Sequence, residues 1–230
     1  MRYELRHPFM EVEGDGQTTS GGSQRRGRPE HMRRWGCGVF GAADFLFYMS
    51  LYHRGYKVGL FADAPADGHV TLDWYNDRID RLRRGYLPVL PHHGINGLGL
   101  AMGLNAYFRK YDLPLRARWG VLPKNFWQEI DHQLQMDRPV IISVGNNFPK
   151  VWEKNKLNFY SDPDYTIGKP IARTMAHYVT VTGSDPEWLR ISSWGKQYYI
   201  NKAEYCAFID QYSSHVLSNM LYIREVQKGE

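Results

Sequence analysis

The pattern of hydrophobic and polar residues gives the two ends of the chain a different character. Residues 1–34 show little periodicity, and residues 14–29 are rich in Gly, Ser, Thr and Arg. This composition is typical of an extended, loop-rich segment, and we expect a short strand at residues 3–13. After residue 34 hydrophobic residues recur in runs and at regular spacings. Because no linker or internal repeat interrupts the sequence, we expect residues 1–230 to form a single domain.

The strongest helical pattern lies at residues 37–52, CGVFGAADFLFYMSLY. This stretch is apolar on almost every side, with Asp44 and Ser50 as exceptions, and such a helix is buried at the centre of a fold. A hydroxyl cap at Thr71 and a proline at position 123 mark the starts of two further helices. Amphipathic spacings predict these and other helices at residues 71–85, 96–111, 123–136 and 202–212.

In the C-terminal half the pattern changes to that of strands. Residues 139–144, PVIISV, form a short continuous β-branched run, and residues 176–182 alternate between two faces. Residues 146–172 lack a clear pattern and are expected to form a long loop. Further strands are predicted at residues 188–193, 196–200 and 220–226. Helices followed by mostly adjacent strands indicate an α+β fold with an antiparallel sheet.

The composition excludes several classes of protein. A hydrophobic fraction of 43% with 23% charged residues is globular rather than disordered. The mean hydropathy of −0.53 and the lack of a long apolar run exclude a membrane-spanning helix. The first residues contain no apolar signal region, and two cysteines are too few for a disulfide framework or a four-cysteine zinc site. We therefore expect a soluble, cytoplasmic protein with no membrane partner.

The positive charge raises the question of nucleic acid, since the net charge is +5 and the isoelectric point is near 9.1. The other charges are mixed in sign, and the sequence contains no zinc finger, RNP-type motif or basic zipper. We interpret the clustered arginines as a solvated loop and a helix face, and we do not expect nucleic acid as a partner. The clusters are formed by Arg25, Arg26, Arg28, Arg33, Arg34, Arg83 and Arg84.

The sharpest chemical feature is Cys37, which stands between Gly36 and Gly38 where a loop meets the buried helix. Unpaired amides and the helix dipole favour a thiolate at such a position, and the thiolate is the nucleophilic form of cysteine. The two glycines leave room for a substrate carbonyl, and the Cys37 amide is a candidate oxyanion donor. The alternative is an ordinary buried cysteine, as we expect for Cys206 in its amphipathic helix.

A nucleophilic cysteine needs a base, and His177 is the best candidate among nine histidines because it begins a regular strand. A rigid strand presents an imidazole with little freedom, although a hydrogen-bonded core histidine is the alternative interpretation. His92 and His93 are adjacent in a turn, but no other metal-binding side chain stands at ligand spacing beside them. We therefore expect no metal and no cofactor.

Together these motifs resemble those of the papain-like cysteine peptidases. Phe40 follows Cys37 at the spacing of the Cys-Trp-Ala-Phe motif, and the strand from His177 ends in a glycine six residues later. The run Ser-Ser-Trp-Gly at residues 192–195 resembles the Asn-Ser-Trp-Gly segment of that family. The Cys-Gly context and the histidine strand are also similar to the bacterial branch that includes the bacteriocin-leader peptidases.

The resemblance implies a papain-like fold, in which an N-terminal helical half carries the nucleophile on a central helix and packs on a C-terminal antiparallel sheet. It implies Cys37 as nucleophile and His177 as base, with Trp194 covering the histidine. Ser192 falls where the family has the Asn or Asp that orients the histidine. The family's second oxyanion donor, a glutamine, is replaced by His31 at the same spacing, so Gln24 is the alternative candidate.

The activity implied is hydrolysis of a peptide or another amide through a thioester intermediate. Transfer to an amine acceptor uses the same chemistry, as in the transglutaminase-like and acetyltransferase-like members of the superfamily. A catalytically inactive domain that binds peptide or protein is the alternative, because Ser192 replaces an acid or amide. Substrate and oligomeric state are left open by the sequence. Aromatic side chains of the long loop form a groove wall or ordinary packing: Phe148, Trp152, Phe159, Tyr160 and Tyr165.

Overall fold

The computed structural model describes residues 1–163 and 169–226 of the chain. These residues form an α+β fold, in which most helices precede the strands of one large antiparallel sheet. The helices are α1 (Glu30–Trp35), α2 (Cys37–Tyr52), α3 (Leu72–Gly85), α4 (Gly97–Lys110), α5 (Phe126–Gln135) and α6 (Lys202–Tyr212). The strands are β1 (Tyr3–Glu4), β2 (Glu11–Gly14), β3 (Gln17–Ser20), β4 (His69–Thr71), β5 (Leu115–Trp119), β6 (Val140–Val144), β7 (Leu157–Phe159), β8 (Ala172–Thr174), β9 (His177–Ser184), β10 (Trp188–Ser193), β11 (Lys196–Asn201) and β12 (Met220–Glu225).

The large sheet has the strand order β11-β10-β9-β6-β12-β5, and every pairing in it is antiparallel. Short strand β1 also pairs with β9, beyond the end of β6. Two smaller sheets complete the described chain, one with the order β3-β2-β4 and one formed by β7 and β8. The long central strand β9 therefore connects the N-terminal segment with both halves of the large sheet.

Helix α2 lies at the centre of the fold, as its apolar sequence predicts. It contacts strands β6 and β9 of the large sheet and helices α3 and α4. Nearly all of its side chains from Gly38 to Ser50 are buried, including the aromatic rings of Phe45 and Phe47. A Cβ atom on Gly41 would lie 3.5 Å from Ile141, an ordinary contact distance, so the helix packs directly against the sheet at this position.

The periodic elements were predicted well, and the short ones were not. Helices α2 and α6 begin and end at the predicted residues, and α3 begins one residue after Thr71, whose hydroxyl accepts a hydrogen bond from the Trp74 amide (3.2 Å). Strand β5 was missed, and the predicted long loop contains β7. The N-terminal segment forms three short strands where one was predicted.

Five of the seven clustered arginines are exposed as predicted, whereas Arg26 and Arg83 are half-buried, and four of the seven are paired with carboxylates. Arg33 instead donates to two backbone carbonyls. The ion pairs are Arg26–Asp15, Arg28–Asp73, Arg34–Glu30 and Arg83–Asp80. Among residues 1–163 and 169–226, we find no helix with the length and apolar character needed to cross a membrane.

Candidate active site

Cys37 is the first residue of α2, and it is half-buried under neighbouring protein atoms. Burial raises the pKa of its thiol, while backbone hydrogen bonds from Tyr178 and Gly38 act in the opposite direction. The thiol is therefore protonated at neutral pH, and the helix start does not by itself produce a thiolate. Cys206, which was expected in the core, is half-buried on α6 instead.

His177 is the first residue of β9, and only 5% of it is exposed. The indole of Trp194 stacks on the imidazole at a centroid distance of 4.5 Å and an angle of 18°. On the indole ring lies the guanidinium of Arg25, 4.7 Å from the ring centroid. Burial and, secondly, the charge of Arg25 lower the pKa of His177 to about 3. The imidazole is thus a neutral base across the physiological pH range.

The hydroxyl that contacts His177 belongs to Ser193 and not to Ser192. Ser193 Oγ lies 2.8 Å from Nε2 of His177, so this ring nitrogen is occupied by the serine hydroxyl. Ser192 instead donates a hydrogen bond to the carbonyl of Ser20 (2.9 Å). Neighbouring residues of a strand point to opposite faces, so only one of the two serines can reach the imidazole. The predicted contact of Ser192 with the histidine is therefore wrong, and Ser193 makes this contact instead.

Gln24 lies in a short 3-10 turn before α1 and is 9% exposed. Its Nε2 donates to the carbonyl of Arg33 (3.1 Å), and its buried Oε1 has no hydrogen-bond partner among the described residues. A side-chain amide carries two N–H groups, so one of them remains for a ligand. His31, the other candidate oxyanion donor, lies on α1.

One small cavity brings most of the predicted site residues together. Its volume is about 20 Å³, which is enough for roughly one water molecule. The predicted residues that line it are Gln24, Cys37, His177, Ser192 and Trp194. Its other lining residues are Gly22, Phe40, Gly41, Asp44, Tyr178, Thr180 and Ser193. The cavity thus lies where four parts of the chain meet: helix α2, strands β9 and β10 and the segment before α1.

Gly36 and Gly38, predicted to give a substrate room to approach, are buried and do not line this cavity. A Cβ atom on Gly36 would lie 2.5 Å from the carbonyl of Met32, and one on Gly38 would lie 2.7 Å from Ile95. The start of α2 is therefore packed closely against α1 and against the chain before α4. This packing explains why both positions are occupied by glycine.

A larger cavity of about 330 Å³ lies beside the site and shares His177 and Tyr178 with the small one. Its apolar lining residues include Ile95, Leu98, Trp119, Val216 and Leu217. The face of this cavity is thus mostly apolar, and it opens next to the candidate base. A third cavity, of about 430 Å³, lies between Ser192 and the N-terminal residues 4–9.

The aromatic residues of the long loop do not form a common wall. Phe148 and Trp152 are exposed, whereas Phe159 and Tyr160 are buried. Phe159 packs on Trp194 at a centroid distance of 5.7 Å and so supports the ring that covers His177. Tyr165 lies outside the described residues.

Three residues of this site were not predicted from the sequence: Asp44, Ser193 and Arg25. Asp44 carried a usable signal, because it follows Cys37 by two helical turns and is an acidic residue in an otherwise apolar helix. The position of Arg25 depends on how the N-terminal segment folds over the sheet, which no local pattern reveals.

No group of three or more His, Cys, Asp or Glu side chains within residues 1–163 and 169–226 is arranged to hold a metal ion. Comparison of the chain with protein-family models and with curated proteins gives no match.

Proposed function

We propose that this protein is a cysteine-dependent hydrolase of peptide or amide bonds, with a papain-like arrangement of helix and sheet. The observation that carries the proposal is the convergence of Cys37 and His177 on one small polar cavity, with the histidine held by Ser193 and covered by Trp194. A nucleophile, a base and a group that orients the base are the minimum for acyl transfer by cysteine.

The reaction follows from these roles. The sulfur of Cys37 attacks the substrate carbonyl while Nδ1 of His177 takes the thiol proton. The tetrahedral intermediate collapses to a thioester as the imidazolium returns this proton to the leaving amine. Water then attacks the thioester with His177 again as base, which releases the acid and restores the thiol. In this mechanism the backbone amide of Cys37 and the side-chain amide of Gln24 donate to the oxyanion. No cofactor is needed in these steps.

The resting site favours a neutral pair over an ion pair. Burial raises the pKa of Cys37 and lowers that of His177, so proton transfer accompanies attack on the carbonyl instead of preceding it. In this form the mechanism depends on hydrogen-bond geometry, and Trp194 maintains that geometry by excluding water from His177.

The test uses p-nitrophenyl acetate, an ester that acylates a competent cysteine whatever its natural substrate. We expect a burst of p-nitrophenolate and an acetyl group on the peptide that contains Cys37, located by mass spectrometry. Cys37→Ala should abolish the burst, and His177→Ala should slow it by about 10² or more. The matched control is Cys206→Ser, which removes the other half-buried thiol and should leave the burst unchanged.

The alternative is a catalytically inactive domain that binds peptide or protein. The observation in its favour is that His177 contacts a serine hydroxyl, which carries no charge to stabilise an imidazolium. An inactive domain would react at Cys37 no faster than a free thiol, with no change in His177→Ala. That result would contradict the hydrolase proposal and leave the 330 Å³ cavity as a binding site.

A further inference from the structure

Asp44 is a buried acid for which the proposed mechanism has no use. It lies two turns after Cys37 on the same face of α2, lines the same small cavity and is 3% exposed. An ionised carboxylate is costly to bury, and burial accordingly raises the pKa of Asp44 to about 7. The titratable groups around it are Tyr75 from α3, His177 from β9 and Cys37 on its own helix.

The hydrogen bonds of Asp44 lead to the segment that carries Gln24. Oδ1 accepts from the amide of Gly22 (2.9 Å) and from the hydroxyl of Tyr75 (2.6 Å). Gly22 stands two residues before Gln24. On the other side of the segment, Ser192 donates to the carbonyl of Ser20.

The backbone at Gly21 and Gly22 packs so closely against its neighbours that larger residues would not fit. Gly21 has φ +75°, and a Cβ atom there would lie 2.9 Å from both Asp44 Oδ2 and Ser192 Oγ. A Cβ atom on Gly22 would lie 2.3 Å from the hydroxyl of Tyr75. The two glycines thus let the backbone pass directly against the carboxylate and reach the cavity at Gln24.

The chain contains the same pattern of hydrogen bonds a second time, away from the site. Oδ1 of the buried Asp137 accepts from the amide of Arg6 (2.8 Å) and from the hydroxyl of Tyr48 (2.7 Å). Asp137 does not line the cavity of Cys37. It therefore gives a matched control, because it ties an N-terminal segment to the core with the same donors.

We propose that Asp44 is a positioning residue of the active site, which holds the segment from Gly21 to Gln24 against the nucleophile helix so that the Gln24 amide faces the oxyanion. The inference rests on the hydrolase function proposed above. One acceptor oxygen serves both the Gly22 amide and the Tyr75 hydroxyl, so the position needs a short side chain with a carbonyl oxygen more than it needs a charge.

The experiment compares two reactions of Cys37 in the full chain at one pH. Acylation by p-nitrophenyl acetate passes through an oxyanion, whereas alkylation by iodoacetamide does not. Gln24→Ala should slow acylation by about 10² and leave alkylation unchanged, since one oxyanion donor is lost. Asp44→Ala should slow acylation to a similar extent, and the double variant should be no slower than Gln24→Ala alone, because both changes act on the same group.

Two further variants separate positioning from stability. Asp44→Asn keeps an acceptor oxygen for Gly22 and should recover most of the acylation rate, and it carries the test if the alanine variant does not fold. Asp137→Ala should lower stability and leave the ratio of acylation to alkylation unchanged. The inference is wrong if Asp44→Ala slows both reactions equally, or if its effect adds fully to that of Gln24→Ala. If Cys37 of the wild-type chain is not acylated at all, the hydrolase proposal itself fails, and this inference fails with it.

Discussion

Asp44 is a residue whose proposed role at the site is accompanied by a loss of stability when it ionises. In the folded chain its pKa is about 7, above the ordinary value of 3.8. The folded state therefore holds the proton more tightly than the unfolded state. The stabilisation that results is fully present below about pH 4 and is lost as the pH rises through 7.

This pH dependence of the stability leads to a prediction for Asp44→Asn. The substitution keeps the shape of the side chain and removes its ionisation. Relative to wild type, the variant should gain stability as the pH rises from 4 to 8. The gain has an upper bound of about 4 kcal/mol, because the pKa of Asp44 rises from 3.8 to about 7 on folding and each pKa unit corresponds to about 1.4 kcal/mol. The free energy of unfolding in urea at pH 4, 6 and 8 measures it. A difference between the two proteins that stays constant over this range would contradict the prediction.

At the same scale, the candidate nucleophile and base are easier to select from the sequence than the residues that contact them. Cys37 and His177 were predicted because each begins a strongly patterned element, and both border one cavity. The prediction named Ser192 where the structure has Ser193, which is an error of one position in a strand. Such an error reverses the face of the sheet on which a side chain is expected. Gln24 was predicted only as one of two candidates, because its segment has no periodicity.

At the scale of elements, the turn between β10 and β11 decides where the shielding ring lies. Ser193 pairs with Lys196, so Trp194 and Gly195 form a two-residue turn with φ values of +50° and +75°. Positive φ at both positions matches the twist of a hairpin, but it is unfavourable for a residue with a Cβ atom. The strained backbone at Trp194 brings the indole onto His177.

We therefore predict that Trp194→Gly and Trp194→Ala have the same effect on the histidine and different effects on stability. Both remove the ring from His177, so the pKa of His177 should rise from about 3 towards its ordinary value of 6.5. The glycine variant should be more stable than the alanine variant by roughly 1 kcal/mol, because only alanine is strained at positive φ. Imidazole proton shifts in NMR give the pKa, and urea unfolding gives the stability. An unchanged pKa would show that the ring does not shield the histidine.

Elements were predictable where the pattern is long or the burial is complete. Helix α2 and strand β6 are apolar enough to be recognised without their neighbours. Strand β5 has the sequence LRARW, and its two arginines make the alternation hard to recognise. The strand depends on its pairing with β12. Strands β2 and β4 are short and pair with each other across more than fifty residues of sequence. The strand propensity of a local segment cannot predict such a distant pairing.

At the scale of the whole molecule, the candidate site lies where the helical half meets the large sheet. Cys37 comes from the helices and His177 from the sheet, and the 330 Å³ cavity beside them takes its walls from both. Leu98 at the start of α4 and Val216 before β12 are 64% and 77% exposed although they are apolar. Exposed apolar side chains beside a cavity make it a candidate surface for an apolar ligand.

The last prediction follows from this cavity and concerns the acyl group. If the cavity receives the acyl chain, p-nitrophenyl hexanoate should acylate Cys37 at least tenfold faster than the acetate, because each buried methylene contributes about 0.8 kcal/mol. Leu98→Asp and Val216→Asp should each reduce this preference and leave the acetate rate near that of the wild type. The control is Met102→Asp, since Met102 lies one turn further along α4, is 70% exposed and does not line the cavity.

The comparison of Leu98 with Met102 decides whether this cavity is the binding site for the acyl group. Equal losses of the hexanoate preference in both variants would indicate a general effect of charge on α4. An unchanged preference in Leu98→Asp and Val216→Asp would place the acyl chain elsewhere, and the apolar cavity would then be left for the other side of the scissile bond. A loss confined to the two lining residues would show that the helical half and the sheet jointly select the substrate that Cys37 attacks.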